Sequence, residues 1–350
     1  MNLFARLRNL LRTDVAMDLG TAHTLVYVKG KGIVIREPSV VAVDLTTGRP
    51  IAIGAEAKLM LGKTHETILA RRPMKDGVIE NLDLVQVMIS TLLNKTMRNA
   101  LAKPVLYVAV PSGANEVELK AVRDAGEAAG AREVHLVAEP IAAAVGMDLA
   151  IHDPTGHMVV DIGGGTTEIA VISLGGIVAK ASIPIAGDEM DAAIINYVRR
   201  KYTVLMGEQA AEKLKIAIGN VYPTEENLEP MEVRGQSLMN SMPEVVEITP
   251  SEVREALREP VNQILEAIRR AFESTPPDLM ADVIERGIHL TGGGALLRGM
   301  DLLIKEETKL DVNVVERPLE CVVIGVGKIM ENLRKYRGVL IEPRKPVKSR

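Results

Sequence analysis

The sequence predicts an α/β fold of two duplicated lobes, with mixed sheets flanked by helices. Two observations carry this expectation. A strand–turn–strand unit occurs twice, once in each half of the chain, and each copy is followed by apolar strand runs alternating with helical patterns. The 350 residues are enough for two sizeable cores, and 47% hydrophobic with 25% charged residues is the composition of an ordinary folded protein.

Residues 2–12 open the chain with an amphipathic helical pattern. At ~100° per residue, Leu3, Phe4, Leu7, Leu10 and Leu11 share an arc of roughly 120°, with Arg6 and Arg8 flanking it, Arg12 farther round and no acid in the run. Such a helix suits the headgroup region of an anionic membrane, with leucines in the acyl boundary and guanidinium groups on phosphates. Docking of the same stripe on the protein's own core is the alternative. A single short stripe anchors only marginally, so stable attachment calls for many copies side by side, as a polymer provides.

The first strand–turn–strand unit is Met17-Asp18-Leu19-Gly20-Thr21-Ala22-His23-Thr24. An apolar run at 15–17 delivers Asp18 to a tight turn, and a second run at 25–28 leads away. Glycine lets the turn backbone approach a ligand without a Cβ in the way, so N–H groups can converge on an anion while threonine hydroxyls add donors. A carboxylate beside phosphate is repelled unless a cation lies between them, which gives Asp18 the task of holding that cation, usually through water. His23 either contacts phosphate or serves its own loop.

Residues 104–111 form an apolar run bounded by prolines, the pattern of a buried strand. A helix over 115–129 follows, with Val117, Ala121, Val122 and Ala125 at helical spacing and Gly130 as its stop signal. A strand at 134–137 then runs into Glu139-Pro140, a proline suited to a first helical turn. Glu139 therefore stands at a strand-to-helix junction, where ligands bind in α/β sheets.

The second unit, Val160-Asp161-Ile162-Gly163-Gly164-Gly165-Thr166-Thr167, repeats the first and gives Asp161 the same task as Asp18. One copy alone reads as a polar β-turn; two copies read as a paired phosphate site. The polar, proline-containing stretch 220–250 predicts a small inserted subdomain, and Thr249-Pro250-Ser251-Glu252 the capped start of a long helix ending near Phe272. Ile288 to Thr291 then forms a strand running into a second glycine cluster, Gly292, Gly293, Gly294 and Ala295, and a helix, a geometry that lets backbone lie against a planar or anionic ligand. The segment 318–336 carries Gly325 and Gly327 inside a helical pattern, which predicts close approach to another element.

Several function classes are excluded on counting. A net charge of −4, two Phe, six Tyr and no Trp argue against nucleic acid as a partner. Cys321, the single cysteine, lies in an apolar run and reads as a small core residue, and the six histidines lack metal-ligand spacing. Gly62-Lys63-Thr64 lacks the earlier glycine of a P-loop, its position being Ala57, and neither Gly30-Lys31-Gly32 nor Gly325-Val326-Gly327 completes a dinucleotide fingerprint. No uncharged run approaches the ~18 residues of a spanning helix, so a cytoplasmic setting is expected.

Two Asp-x-Gly hairpins, a Glu-Pro junction between them and a Thr-Gly-Gly-Gly turn near the end, in that order, resemble the ATPase superfamily of actin, sugar kinases and DnaK-type chaperones. More closely, the hairpins at 18–24 and 159–168, the run Ala193-Ile194-Ile195-Asn196-Tyr197-Val198-Arg199-Arg200 and the stretch 290–298 resemble the MreB family, the bacterial actin homologues that determine rod shape. His23 departs from the family pattern, which has asparagine there.

The resemblance implies an actin-like ATPase fold: lobe I from 14–147 and 317–350 with a small subdomain at about 33–76, and lobe II from 148–316 with one at about 188–255, hinged around an ATP cleft. It implies magnesium at Asp18 and Asp161, and phosphate contacts from Gly20, Thr21, Ala22, His23, Thr24, Gly163, Gly164, Gly165, Thr166 and Thr167. Glu139 then positions the attacking water, with Asp161, Thr166 and Thr167 around the chemistry. Glu212 and Lys215 match the ribose and adenine contacts, although alone they read as a solvated helix face, and Gly292 to Ala295 match the adenine turn. The same resemblance implies a homopolymer of antiparallel double filaments, with Val117 at the shared face or, alternatively, in the core. Met97 and Leu101 fall in a loop that adds apolar membrane contact, or pack as ordinary core. Further implied partners are anionic lipid at the inner face of the cell membrane and the elongation proteins RodZ, MreC and MreD. A non-polymerising ATPase, sugar-kinase-like or chaperone-like, is the alternative; the first expects longer insertions, the second a further domain beyond the short basic tail after Tyr336.

Overall fold

The computed structural model describes residues 14–97, 103–223 and 228–342. The chain divides into two compact units, residues 1–152 with 322–350 and residues 153–321.

The first unit is built on a six-stranded mixed sheet ordered Leu340–Ile341, Glu133–Ala138, Val105–Val110, Val15–Leu19, His23–Val28 and Gly32–Pro38. Val15–Leu19 runs parallel to Val105–Val110, which runs parallel to Glu133–Ala138, while the hairpin strands pair antiparallel. Strands buried on both faces need continuous apolar runs, and all six residues of Val105–Val110 are buried. Helices Leu82–Thr96 and Glu116–Ala128 bring Met88, Ile89, Leu119 and Val122 onto the same core as Met17, Leu106 and Leu136. Each such side chain contributes about 1.5–3 kcal/mol by leaving water. A small sheet of Pro50–Ile53, Val41–Asp44 and Ile68–Arg71 completes this unit.

The second unit repeats the plan. Its five-stranded sheet is ordered Gly176–Ile183, Thr167–Ser173, His157–Ile162, Ile288–Thr291 and Val312–Val314, an antiparallel meander continued by parallel strands. The helices Gly187–Tyr202 and Pro250–Glu273 cover it, packing Met190, Ile194, Leu257 and Ile264 against Val160 and Leu290. The inserted element is a hairpin, Met231–Ser237 with Pro243–Ile248, extended by Val204–Leu205. Helix Pro250–Glu273 starts as its sequence requires, on a capping box in which Thr249 N–H donates to Glu252 Oε2 at 2.7 Å.

Two expectations are corrected. Helix Glu116–Ala128 buries Leu119, Val122, Ala125 and Gly126, whereas Val117 is 78% exposed, which removes its core reading. The buried stripe passes through Leu119, Val122 and Gly126 at helical spacing, and Val117, in the first turn after the Asn115–Glu118 capping box, falls on the other side of the helix. The glycine cluster also leads into a 3₁₀ turn, Gly293–Leu296, with the α-helix beginning only at Met300, because Gly292 and Gly299 both take positive φ and interrupt the path.

The close approach expected of Gly325 is present. In helix Cys321–Glu331, a Cβ on Gly325 would fall inside the Ala142 carbonyl oxygen, and one on Gly327 would stand 2.8 Å from the Tyr27 ring. Cys321 is buried. Among the described residues no helix is long and apolar enough to cross a membrane. The run 2–12, with Leu3, Phe4, Leu7, Leu10 and Leu11, lies outside the described residues, as does Leu101; Met97 is half-buried against the first core.

Candidate functional site

In the first unit, Asp18 is delivered to the carboxyl end of a parallel strand, paired with Ala109 on one side and Leu25 on the other. Burial pushes its carboxyl up to about 7. Losing water disfavours the charged form, and a cation beside the group would restore it. The turn that follows is braced from within. Thr21 is buried and its Oγ1 accepts from Gly77 N–H at 3.1 Å, while Thr24, also buried, shares a 2.9 Å hydrogen bond with Ser39 Oγ. Thr24 was expected to aim its hydroxyl at phosphate; the fold turns it inward instead. Ala22 is half-buried and His23 exposed.

Glu139 lies two strands away in the same sheet, as the first residue of helix Glu139–Gly146 after strand Glu133–Ala138. It is half-buried, with Pro140 in the first turn as expected. The far end of this short helix is held by Lys328, whose Nζ donates to the Gly146 carbonyl at 2.8 Å and pairs with Asp148 at 2.7 Å. A cation at a helix C-terminus both satisfies a carbonyl and complements the dipole.

In the second unit, Asp161 occupies the corresponding place, paired with Glu168 and Thr291 and buried. Gly163 N–H donates to the Thr166 carbonyl at 2.9 Å, closing the turn. Helix Gly187–Tyr202 meets it end-on: Gly187 N–H donates to Gly163 O at 3.3 Å and Asp188 N–H to Gly164 O at 2.7 Å. Thr166 is half-exposed, but Thr167 is buried and its hydroxyl donates to Ile185 O at 2.7 Å. As with Thr24, the expected hydroxyl donor is occupied within the fold.

The second glycine cluster is pressed against Asp161. A Cβ on Gly292, at φ +83°, would overlap Asp161 Oδ1 and the Ile162 carbonyl, and one on Gly294 would overlap the Ile162 side chain. Gly292 N–H and Thr291 Oγ1 both donate to Pro318 O, at 3.2 and 3.1 Å. Packing behind Asp161 thus requires glycine at 292 and 294, whereas the Gly293 Cβ would meet Leu319 at an ordinary 3.4 Å. Ala295 is buried in the same turn.

Lys215 corrects the reading of a solvated helix face. On helix Glu208–Ile218, its largely buried Nζ pairs with Asp191 Oδ1 at 2.8 Å and donates to Gly187 O at 2.7 Å. Burial pushes the Asp191 carboxyl up to about 6, against the pull of Lys215. Glu212, on the same helix, is half-buried. Sequence reasoning missed Asp191 and Ser39. The available signal for Asp191 was an acid beside Met190 on the buried stripe of a helix; for Ser39 it was a lone hydroxyl before an apolar strand.

Known proteins share this sequence pattern and fold. The family model described as MreB/Mbl protein matches residues 12–338. The chain is 48% identical over 344 residues to the cell shape-determining protein MreB of Escherichia coli strain K12, covering 97% of this chain and 99% of that protein. It is 46% identical over 321 residues to the cell shape-determining protein Mbl of Bacillus cereus, covering 91% and 96%. Among solved structures, MreB5 of Spiroplasma citri bound to ADP superposes with a TM-score of 0.88 at 33% identity, over 93% of this chain and 98% of that one. A MamK double helical filament, at 22% identity and a TM-score of 0.78 over 91% and 99%, shares the fold.

Proposed function

The chain belongs to the MreB/Mbl family, and from that premise we propose that it is a cell shape-determining, actin-like cytoskeletal ATPase that binds magnesium ATP and polymerises at the inner face of the cell membrane. The observation that carries this reading is the repeated hairpin: Asp18 and Asp161 each end a parallel-paired strand, one residue ahead of a glycine-bearing turn, in two units of the same plan. The relatives named as bound to ADP and to AMPPNP support a nucleotide ligand.

The donor set fits magnesium. Asp18 and Asp161 each offer a hard carboxylate oxygen of the kind magnesium takes, and phosphate and water would supply its remaining positions. The ion, when bound, offsets phosphate charge. The backbone of 20–24 and 163–167 holds the phosphates, with Thr166 contributing its hydroxyl. Glu139 accepts a hydrogen bond from the attacking water and orients it, because phosphoryl transfer needs positioning and charge compensation more than covalent help. Glu212, Lys215 and the turn 292–295 take the ribose and base.

Assembly follows the same reading: antiparallel double filaments through the face that carries Val117, membrane attachment through residues 2–12 on anionic lipid, and association with RodZ, MreC and MreD. The test is sedimentation and liposome flotation with magnesium ATP. The wild type is expected to pellet and to float with anionic vesicles, Asp161→Ala to lose nucleotide-dependent pelleting, and deletion of 2–12 to lose flotation. Unchanged pelleting and magnesium dependence in Asp161→Ala, or undiminished flotation of the truncated chain, would refute the corresponding assignment.

A further inference from the structure

The two glycine turns are held by different devices. In the second, the carbonyls of Gly163 and Gly164 accept from Gly187 N–H and Asp188 N–H at the start of a helix. A trans peptide points its C=O and the next N–H in opposite directions, and among the described residues no peptide bond is cis. Pinning those two carbonyls therefore turns the N–H groups of Gly164 and Gly165 away from the helix.

In the first turn, one residue takes two carbonyls, of Gly20, the counterpart of Gly163, and of Ala22, the counterpart of Gly165. Ser39 Oγ donates to Gly20 O at 2.6 Å, and Ser39 N–H donates to Ala22 O at 2.9 Å. The same rule turns the N–H groups of Thr21 and His23 to the side opposite Ser39. Ser39 is 0% exposed, immediately after strand Gly32–Pro38, so no water competes for its hydroxyl. A serine carries one hydroxyl proton, and here it is on Gly20; the 2.9 Å contact with Thr24 Oγ1 therefore has Thr24 as donor. The Met88 sulfur, 3.9 Å from Thr24 Oγ1, is a weaker acceptor on the same side.

We propose that Ser39 is a positioning residue for nucleotide phosphate, fixing the peptide planes at Gly20 and Ala22 so that the turn presents its N–H groups to the anion. This rests on the reading of the turn as a phosphate site. Without the hydroxyl, the part-buried Gly20 carbonyl loses this donor, and its peptide gains freedom to rotate. At the Gly20 carbonyl, the counterpart of Gly163, the pinning that a helix start performs in the second unit falls to the Ser39 hydroxyl.

Calorimetric titration of the full chain with magnesium ATP and with adenosine tests this, beside thermal denaturation. Ser39→Ala is expected to bind magnesium ATP about tenfold more weakly, the scale of one unmade hydrogen bond, with adenosine affinity held within about twofold. Ser39→Thr, which keeps a hydroxyl, recovers most of the loss. Thr24→Val, which leaves the Ser39–Gly20 bond in place, loses less than Ser39→Ala. Should Ser39→Ala fail to fold, Ser39→Cys carries the same comparison, since a thiol is of similar size but a weak donor. An unchanged magnesium ATP affinity, or an equal loss for adenosine, overturns the positioning role while the phosphate site stands. Failure of the wild type to bind magnesium ATP overturns both.

Discussion

The Lys215 ammonium lies 2.8 Å from Asp191 Oδ1 and 2.7 Å from the Gly187 carbonyl, so one largely buried cation ties helix Glu208–Ile218 to the helix start that pins the glycine turn after Asp161. Asp191 stands at about 6 because burial raises it more than Lys215 lowers it. Lys215→Met removes the lowering influence and drives the carboxyl higher still. A folded-state pKa above the unfolded one costs stability at high pH, and the cost fades as pH falls and the group takes a proton. Lys215→Met should therefore be less stable than wild type by about 3 kcal/mol at pH 8, with the deficit shrinking toward pH 5, and Lys215→Met/Asp191→Asn should recover most of it. Urea unfolding across that range measures it; a deficit that does not change with pH rejects the account.

Gly325→Ala addresses the contact between helices Cys321–Glu331 and Glu139–Gly146. The new Cβ would overlap the Ala142 carbonyl, which is backbone and cannot rotate away. Overpacking of this kind costs about 3 kcal/mol and displaces the helix that begins with Glu139, so ATP hydrolysis should fall along with stability. Gly338→Ala is the control, because nothing lies within 4 Å of its Cβ position. Equal melting temperatures for the two variants would show that the helices separate freely.

What the sequence made legible was local. Asp18, Asp161 and Glu139 declare themselves because a strand, a turn and a helix start are each written in a few adjacent residues, and the structure finds all three at strand ends. The boundary of helix Glu116–Ala128 was readable from Asn115 and Gly130, but its buried face was not: the apolar spacing counted Val117, and the core took Leu119. Partners distant in the chain left no such trace. Nothing adjacent to Ser39 signals Gly20, and nothing adjacent to Lys215 signals Asp191 or the Gly187 carbonyl; lysine on a helix is by default solvated. The hydroxyls of Thr24 and Thr167 show the same gap, since a threonine in a glycine turn reads identically whether it faces a ligand or the protein.

Acid sensitivity should concentrate at Glu252. Burial alone would raise its carboxyl, but hydrogen bonds from Lys201, Tyr202 and Thr249 outweigh it and lower the group from 4.5 to about 2. Tyr202 O–H donates to Oε1 at 2.6 Å, and Thr249 N–H to Oε2 at 2.7 Å. A depressed folded-state pKa contributes stability above the unfolded value and loses it as pH falls through the folded one. The stability advantage of wild type over Glu252→Gln should thus be full above pH 4.5 and vanish toward pH 2. Chemical unfolding at several pH values checks this, and an advantage that persists at pH 2 would be the wrong outcome.

Glu139→Ala should separate binding from chemistry. Glu139 starts a helix behind a different strand from either turn, so its removal leaves the phosphate contacts in place. Nucleotide affinity should stay within about threefold, while phosphate release slows roughly 10²-fold, the scale of losing a water-orienting carboxylate. Loss of affinity and rate in equal measure would move the role to Thr166, a half-exposed residue of the turn after Asp161.

Val117→Glu tests assembly without touching the fold. Val117 is 78% exposed in the first turn of its helix, between Glu116 and Glu118, where a further acid also suits the positive end of the helix dipole. The melting temperature of the unassembled variant should therefore match wild type within a degree or two, on the order expected of a surface change. Pairing of filaments is another matter. An antiparallel contact across a two-fold axis sets each residue near its own copy, so the variant places like charges at the shared face and adds their repulsion to the loss of apolar contact. Electron microscopy with magnesium ATP should then show single protofilaments in place of pairs. Paired filaments in the variant would place the contact on another face of the first unit.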